Sequence, residues 1–141
     1  MTSIAGAIRQ AGAYYRRSLP RRAVLTIPSS DWKKLNKLPT FTNTDCVVLD
    51  LEDGVAENSK KIARDNIARY LKESINQLNR EICVRINSVS SSHIEDDIRL
   101  LKDLSTSVDC ILVPKVDSVD DMKWLADRLG VSYKILKPFS C

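Results

Sequence analysis

The chain has 141 residues, 43% of them apolar, enough for one domain of ordinary size with its own core. Its formal charge of +4 is unevenly placed: residues 1–30 hold Arg9, Arg16, Arg17, Arg21 and Arg22 and no acid, while the remainder is nearly neutral. No apolar run approaches the ~20 residues that span a bilayer, and the basic residues gather in one tail without a recognisable reader fold, so neither a membrane nor a nucleic acid is an expected partner.

Residues 1–20 form a basic arm in which Ile4, Ile8, Ala11 and Tyr14 recur at helical spacing among arginines. That is the composition of a mitochondrial transit peptide, which would place the protein in the matrix. A frayed basic arm on a cytoplasmic protein is the alternative. The domain is expected over residues 21–141.

"RAVLTIP" reads as a strand, followed by a helix through "DWKKLNKL" that Ser29 or Ser30 can cap and Pro39 ends. "CVVLDL" is a second strand, apolar without alternation, as in a parallel sheet covered on both faces. A helix from about Asn58 to Ser74 is expected to bury Ile62, Ala63, Ile67, Tyr70 and Leu71. "EICVRI" is the third strand. Ser92 to Glu95 has the form of a capping box ahead of a helix that buries Ile94, Ile98 and Leu101.

"CILVP" is the fourth strand, and Ser118 with Asp121 predicts another capping box. The helix it opens buries Met122, Leu125 and Leu129 and stops at Gly130. "VSYKIL" then begins a fifth strand. Strict strand–helix alternation with short connections implies right-handed crossovers and a parallel sheet. Cys46, Cys83 and Cys110 each sit at or near the start of a strand, and no CxxC or Cys/His spacing suggests zinc. Reduced, mostly buried cysteines are expected.

In a parallel α/β sheet or barrel, ligands bind at the carboxyl ends of the strands. The polar residues fall there: Thr26, Ser29 and Ser30 after the first strand, Asp50, Glu52 and Asp53 after the second, Arg85 and Asn87 near the end of the third, Lys115 and Asp117 after the fourth. Alternation places Asp50 and Glu52 on one face, and an inward face would bring them near Arg85. Such carboxylates can orient an arginine, help hold a hydrated metal or transfer a proton. Equally, Asp53-Gly54 can be a turn, and Asp50 or Glu52 a structural partner of Arg85. Arg85 cannot shed its charge and must meet an anion, either a substrate carboxylate or a neighbouring acid. Lys115 either faces this site or is solvated. Lys33 and Lys37 lie one turn apart, placed for phosphates or for solvent. His93 is expected at the surface and is a poor candidate for a base.

"RRAVLTIPSSDWKKLNK", "DCVVLDLEDGV", "ICVRINSVSS" and "ILVPKVDS" resemble, in order and spacing, the citrate lyase beta-like proteins of the HpcH/HpaI aldolase superfamily, in particular its citramalyl-CoA-cleaving branch. The resemblance implies an α/β fold in which parallel (β/α) repeats form the first half of a TIM (β/α)8 barrel. It also implies an Mg²⁺-dependent lyase that cleaves or forms a carbon–carbon bond in a citramalyl- or malyl-CoA type thioester. Glu52 and Asp53 would be catalytic, near the metal through water. Arg85 would grip substrate oxygens, Lys33 and Lys37 would meet the acyl-CoA, and Thr26 would contact substrate. Family members tend to form homo-oligomers.

Two departures qualify this expectation. Thr26 stands where the family commonly has Tyr, and Ile27-Pro28-Ser29 where it has Val-Pro-Gly. The chain also reads "ILKPFSC" where the family continues to an ETA-type glutamate and a GxxD-type aspartate, the direct Mg²⁺ ligands. On that comparison the chain looks C-terminally truncated and inactive alone. A non-catalytic half-barrel serving as a binding or regulatory partner is the competing expectation. A doubly wound phosphate-binding domain is a third, without a glycine-rich loop to support it.

Overall fold

The computed structural model describes residues 21–74, 80–104 and 107–130, together with the backbone of 137–139. The expected arm at 1–20, the expected fifth strand at 131–136 and Cys141 lie outside the described residues.

Five strands, β1 (Val24–Pro28), β2 (Cys46–Asp50), β3 (Glu81–Arg85), β4 (Cys110–Pro114) and β5 (Lys137–Phe139), form one open parallel sheet in chain order. Four helices lie between them: α1 (Trp32–Asn36), α2 (Lys60–Ser74), α3 (Ile94–Asp103) and α4 (Val119–Leu129). This is the expected succession of (β/α) units, the partial-barrel arrangement. Among the described residues a fifth strand covers Lys137–Phe139, beside Leu112–Pro114 of β4.

Strand alternation sorts the side chains onto two faces. Ile27, Val47, Leu49, Ile82, Val84 and Val113 pack with Leu35, Ala63, Ile67, Tyr70, Ile98, Leu101 and Leu125 of the helices, forming the main core. The opposite, inner face carries a separate small cluster of Cys46, Val48, Cys83 and Cys110, with Leu112 beside it. Every residue of β2 is buried, which explains its unbroken apolar run.

Five local expectations change. The cap of α1 is Asp31, whose side chain accepts from the Lys34 N–H, because Ser29 is still in the sheet ladder, its N–H bonded to the Asp50 carbonyl. The helix expected from Asn58 opens as a 3-10 turn over Glu57–Ser59, and α2 proper starts at Lys60. Its buried stripe is Lys60, Ala63, Ile67, Tyr70 and Leu71, leaving Ile62 on the solvent side, 54% exposed.

The Ser92–Glu95 box does not form. Helix α3 begins one residue later than such a box needs, with His93 at the cap position and no side-chain cap. Ser91 Oγ accepts from the His93 N–H instead. His93 is partly buried rather than fully exposed, its ring paired with Glu57. By contrast the Ser118/Asp121 box closes in both directions at the start of α4, and Gly130 ends that helix in the left-handed conformation at φ 70°.

Candidate functional site

Asp50 and Arg85 are the last residues of β2 and β3 and stand directly opposite each other. The guanidinium grips the carboxylate with two bonds, Nε to Oδ1 at 2.7 Å and Nη2 to Oδ2 at 2.6 Å. Asp50 is only 1% exposed and accepts two further bonds, from the Glu52 N–H at 2.8 Å and the Gly54 N–H at 2.9 Å. Burial works to raise its pKa, but the bonds from Arg85 and from the loop N–H groups outweigh it and hold the carboxyl below the usual range. The bond to Asp50 is the chief cause that raises the Arg85 pKa.

The loop after β2 can wrap this carboxylate because Gly54 has no side chain: a β-carbon there would lie 2.5 Å from Asp50 Oδ2. Asp53-Gly54 does form a turn, closed by the Val55 N–H on the Glu52 carbonyl at 3.1 Å, and the same turn is a cradle for Asp50.

Glu52 is turned back over the pair and buried. Its Oε2 lies 3.3 Å from Arg85 Nη1, and its Oε1 lies 2.7 Å from Lys115 Nζ without receiving a well-aligned hydrogen bond. Lys115 also reaches Asp53 Oδ1 at 3.3 Å, and contact with Glu52 and then Asp53 raises its pKa. It follows β4 in the left-handed region at φ 49°, an uncommon conformation for a residue with a β-carbon. Of the two readings left open for Lys115, the structure shows the one in which it faces the site.

Two supporting residues carried little sequence signal. The Lys60 ammonium, buried beneath the loop, donates to the carbonyls of Leu51 and Glu52 at 2.7 and 2.6 Å. Its one clue was a lysine in register with the buried stripe of α2. Asp97, fully buried in the first turn of α3, accepts from the backbone N–H and side-chain amide of Asn87 and from Arg64. It thereby fixes the segment that follows β3.

Glu52, Asp53 and Arg85 thus converge at the carboxyl ends of neighbouring strands. Thr26, Lys33 and Lys37 do not join them. Thr26 is exposed and pairs in register with Val48, one pleat below the Asp50–Arg85 level, because side chains of like parity lie two residues apart along a strand. Lys33 and Lys37 are exposed on α1, and among the described residues no hydrogen bond or ion pair ties them to the cluster.

The carboxylates were also expected to attend Mg²⁺, which takes six oxygens in near-octahedral geometry. Here both oxygens of Asp50 are committed, Glu52 lies between two cations, and Asp53 shares Lys115. With the Lys60 ammonium behind the loop, three cations face three carboxylates, leaving little net field to draw in a dication. The only grouping of three potential metal ligands among the described residues is elsewhere, at Cys46, Glu81 and Cys83. The described residues of the strand-end cluster therefore do not by themselves make a magnesium site.

A run of parallel β/α units with acids and bases gathered at the carboxyl ends of its strands is the ligand-binding layout of (β/α) barrels. Residues 22–131 match the HpcH/HpaI aldolase/citrate lyase family, and the chain belongs to it. It is 42% identical over 120 residues to the mitochondrial citramalyl-CoA lyase of Homo sapiens, a match covering 85% of this chain and 35% of that protein. It is 35% identical over 110 residues to a (3S)-malyl-CoA thioesterase of Cereibacter sphaeroides, covering 78% of this chain and 37% of the relative.

Among solved structures it is similar to CitE of Mycobacterium tuberculosis in complex with magnesium, acetoacetate and coenzyme A. The TM-score is 0.60 at 26% identity, covering 78% of this chain and 38% of that one. A malate synthase of Haloferax volcanii, 18% identical with a TM-score of 0.62 over 84% of this chain and 40% of its own, shares the fold. The chain spans about a third of the length of the curated relatives it matches.

Proposed function

We propose that this chain carries part of the binding site for a short hydroxyacyl-CoA thioester of the citramalyl or malyl type, whose reaction is carbon–carbon cleavage. The observation that carries this reading is Glu52 poised between Arg85 and Lys115 at the ends of three adjacent strands, in a chain 42% identical to a citramalyl-CoA lyase.

Arg85, oriented by Asp50, would exchange its Nη1 contact with Glu52 for a substrate carboxylate or carbonyl oxygen, and Lys115 adds a second, exposed cation. Glu52 is the candidate base. Cleavage needs removal of the hydroxyl proton as the carbon–carbon bond breaks; its electrons pass to the thioester enolate, which takes a proton back at carbon. Asp53 holds Lys115 in place. Lys33 and Lys37 meet the CoA phosphates as exposed point charges, and Thr26 lines the inner face below. Mg²⁺, a homo-oligomeric assembly and a mitochondrial address for residues 1–20 belong to the same proposal, supported by the names of the relatives and of the CitE complex.

The matched charges favour a second reading in which the chain binds thioester without turning it over, as a non-catalytic partner. Calorimetric titration with citramalyl-CoA and with free CoA tests the first part. The acyl group should tighten binding, and Arg85→Lys, which keeps a cation beside Asp50 but loses the fork, should remove about tenfold of that preference. Equal affinity for the two ligands, or an Arg85→Lys chain that discriminates as before, would overturn it. Release of acetyl-CoA from citramalyl-CoA separates the readings: turnover supports the cleavage role, and thioester binding without turnover supports the non-catalytic partner.

A further inference from the structure

Below the ionic cluster, the inner face carries a row of sulfur. Cys46 opens β2, Cys110 opens β4, and Cys83 lies between them at the centre of β3. Parallel register sets Cys83 opposite Cys110 and sets Cys46 opposite Glu81, one pleat lower. All three cysteines are buried, and Cys46 and Cys83 are free thiols. Cys46 Sγ and Cys83 Sγ stand 3.4 Å apart.

Glu81 offers a carboxylate oxygen within 4.8 Å of both Cys46 Sγ and Cys83 Sγ. Both of its oxygens, however, are held by the Arg21 guanidinium. That leaves sulfur as the available donor.

The two closest thiols are not placed for a disulfide. Cys46 and Cys83 are diagonal neighbours, and a strand spacing of about 4.8 Å with two rises of about 3.3 Å puts their α-carbons ~8 Å apart, beyond the usual reach of the bridge. An ion held between the sulfurs relaxes that limit.

The geometry points to a site for a soft monovalent cation of low coordination number, of which Cu(I) is the probe, held between Cys46 and Cys83, with Cys110 beside Cys83 on β4. Thiolates select soft ions, whereas a structural zinc takes four ligands and would need the oxygen that Arg21 occupies. Two thiolates around a monovalent ion leave one negative charge, and the Arg21 guanidinium, bonded to Glu81 beside the two sulfurs, supplies an opposing charge nearby. On binding, two S–H bonds break, two S–metal bonds form and two protons leave for solvent; no electron is transferred. Val24, opposite Cys46 on β1, is 52% exposed and marks an approach from the sheet edge.

The test uses the 141-residue chain carrying Cys141→Ser, titrated anaerobically with Cu(I) supplied from a competing chelator. One ion per chain is expected, with release of two protons and a sulfur-to-copper charge-transfer band in the near ultraviolet. Cys83→Ala should abolish the band, and Cys110→Ala should leave it in place. No uptake, or full uptake by a folded Cys83→Ala chain, would overturn the assignment. Should Cys83→Ala fail to fold, copper-edge X-ray absorption on the Cys141→Ser chain decides: a shell of sulfur alone supports the site, and a shell dominated by nitrogen or oxygen refutes it.

Discussion

On the helix-covered face of the sheet, β2, β3 and β4 contribute Val47, Leu49, Ile82, Val84 and Val113, whereas on the opposite face the same strands contribute Asp50, Glu81, Arg85 and three thiols. The first face gains from every methylene it buries, roughly in proportion to area, and its pairs are interchangeable within limits of volume. The second depends on particular partners. A buried carboxylate beside a buried guanidinium is tolerable only while both are present, since either alone would be an uncompensated charge. One sheet thus carries a forgiving face and an exacting one, and the exacting one holds the groups with chemical potential.

The largest expected effect tests the exacting face. Asp50→Ala leaves the Arg85 guanidinium largely buried without its bidentate partner and strips two loop N–H groups of their acceptor. A loss of about 3–5 kcal/mol is expected in urea unfolding. Asp50→Leu combined with Arg85→Met should recover much of it. A double variant no more stable than Asp50→Ala would show that the face is not governed by charge pairing.

Next comes the forgiving face. Leu49 is fully buried in the main core, so Leu49→Ala should cost about 2–4 kcal/mol through lost transfer energy and a cavity, and Leu49→Met less than about 1.5 kcal/mol. A cost for Leu49→Met as large as that for Asp50→Ala would erase the contrast.

The smallest effect lies at the amino end of the sheet. Asp45 accepts from the Arg22 side chain and from the N–H groups of Arg22 and Ala23, and its pKa falls to about 2, chiefly through Arg22. A depressed folded-state value adds stability above the unfolded pKa, near 3.9, that is lost as pH falls towards about 2. Asp45→Asn should flatten that limb of the stability–pH curve and leave the curve's shape above about pH 5 unchanged. A difference confined to neutral pH would refute it. Because the group is exposed, the limb is expected to be shallow and sensitive to salt.

Much of the fold was legible because its signals are local. The unbroken apolar run at Cys46–Leu51 announced a strand buried on both faces, and Ser118, Asp121 and Gly130 announced both ends of α4. Local signals misled where neighbours competed for the same role. Ser29 was committed to the sheet, so Asp31 capped α1, and Ser92 lay one residue too early to cap α3. Ile62 matched an apolar period but fell outside the stripe once Lys60 entered it. The convergence of Glu52, Asp53 and Arg85 could be anticipated because alternation and parallel order are arithmetic. The reach of Lys33, Lys37 or Thr26 into that cluster could not, since it depends on where an exposed side chain is drawn.

The sequence by itself determined the succession of strands and helices, the parallel sheet, and the family that its motifs resemble, because each follows from periodicity and spacing within a few residues. Only the tertiary structure decided that Lys60 underpins the Glu52 loop, that Lys115 closes on Glu52, and that thiols 37 residues apart in the chain meet at 3.4 Å. These are contacts between elements, set by strand register and by the search of each buried charge for a partner.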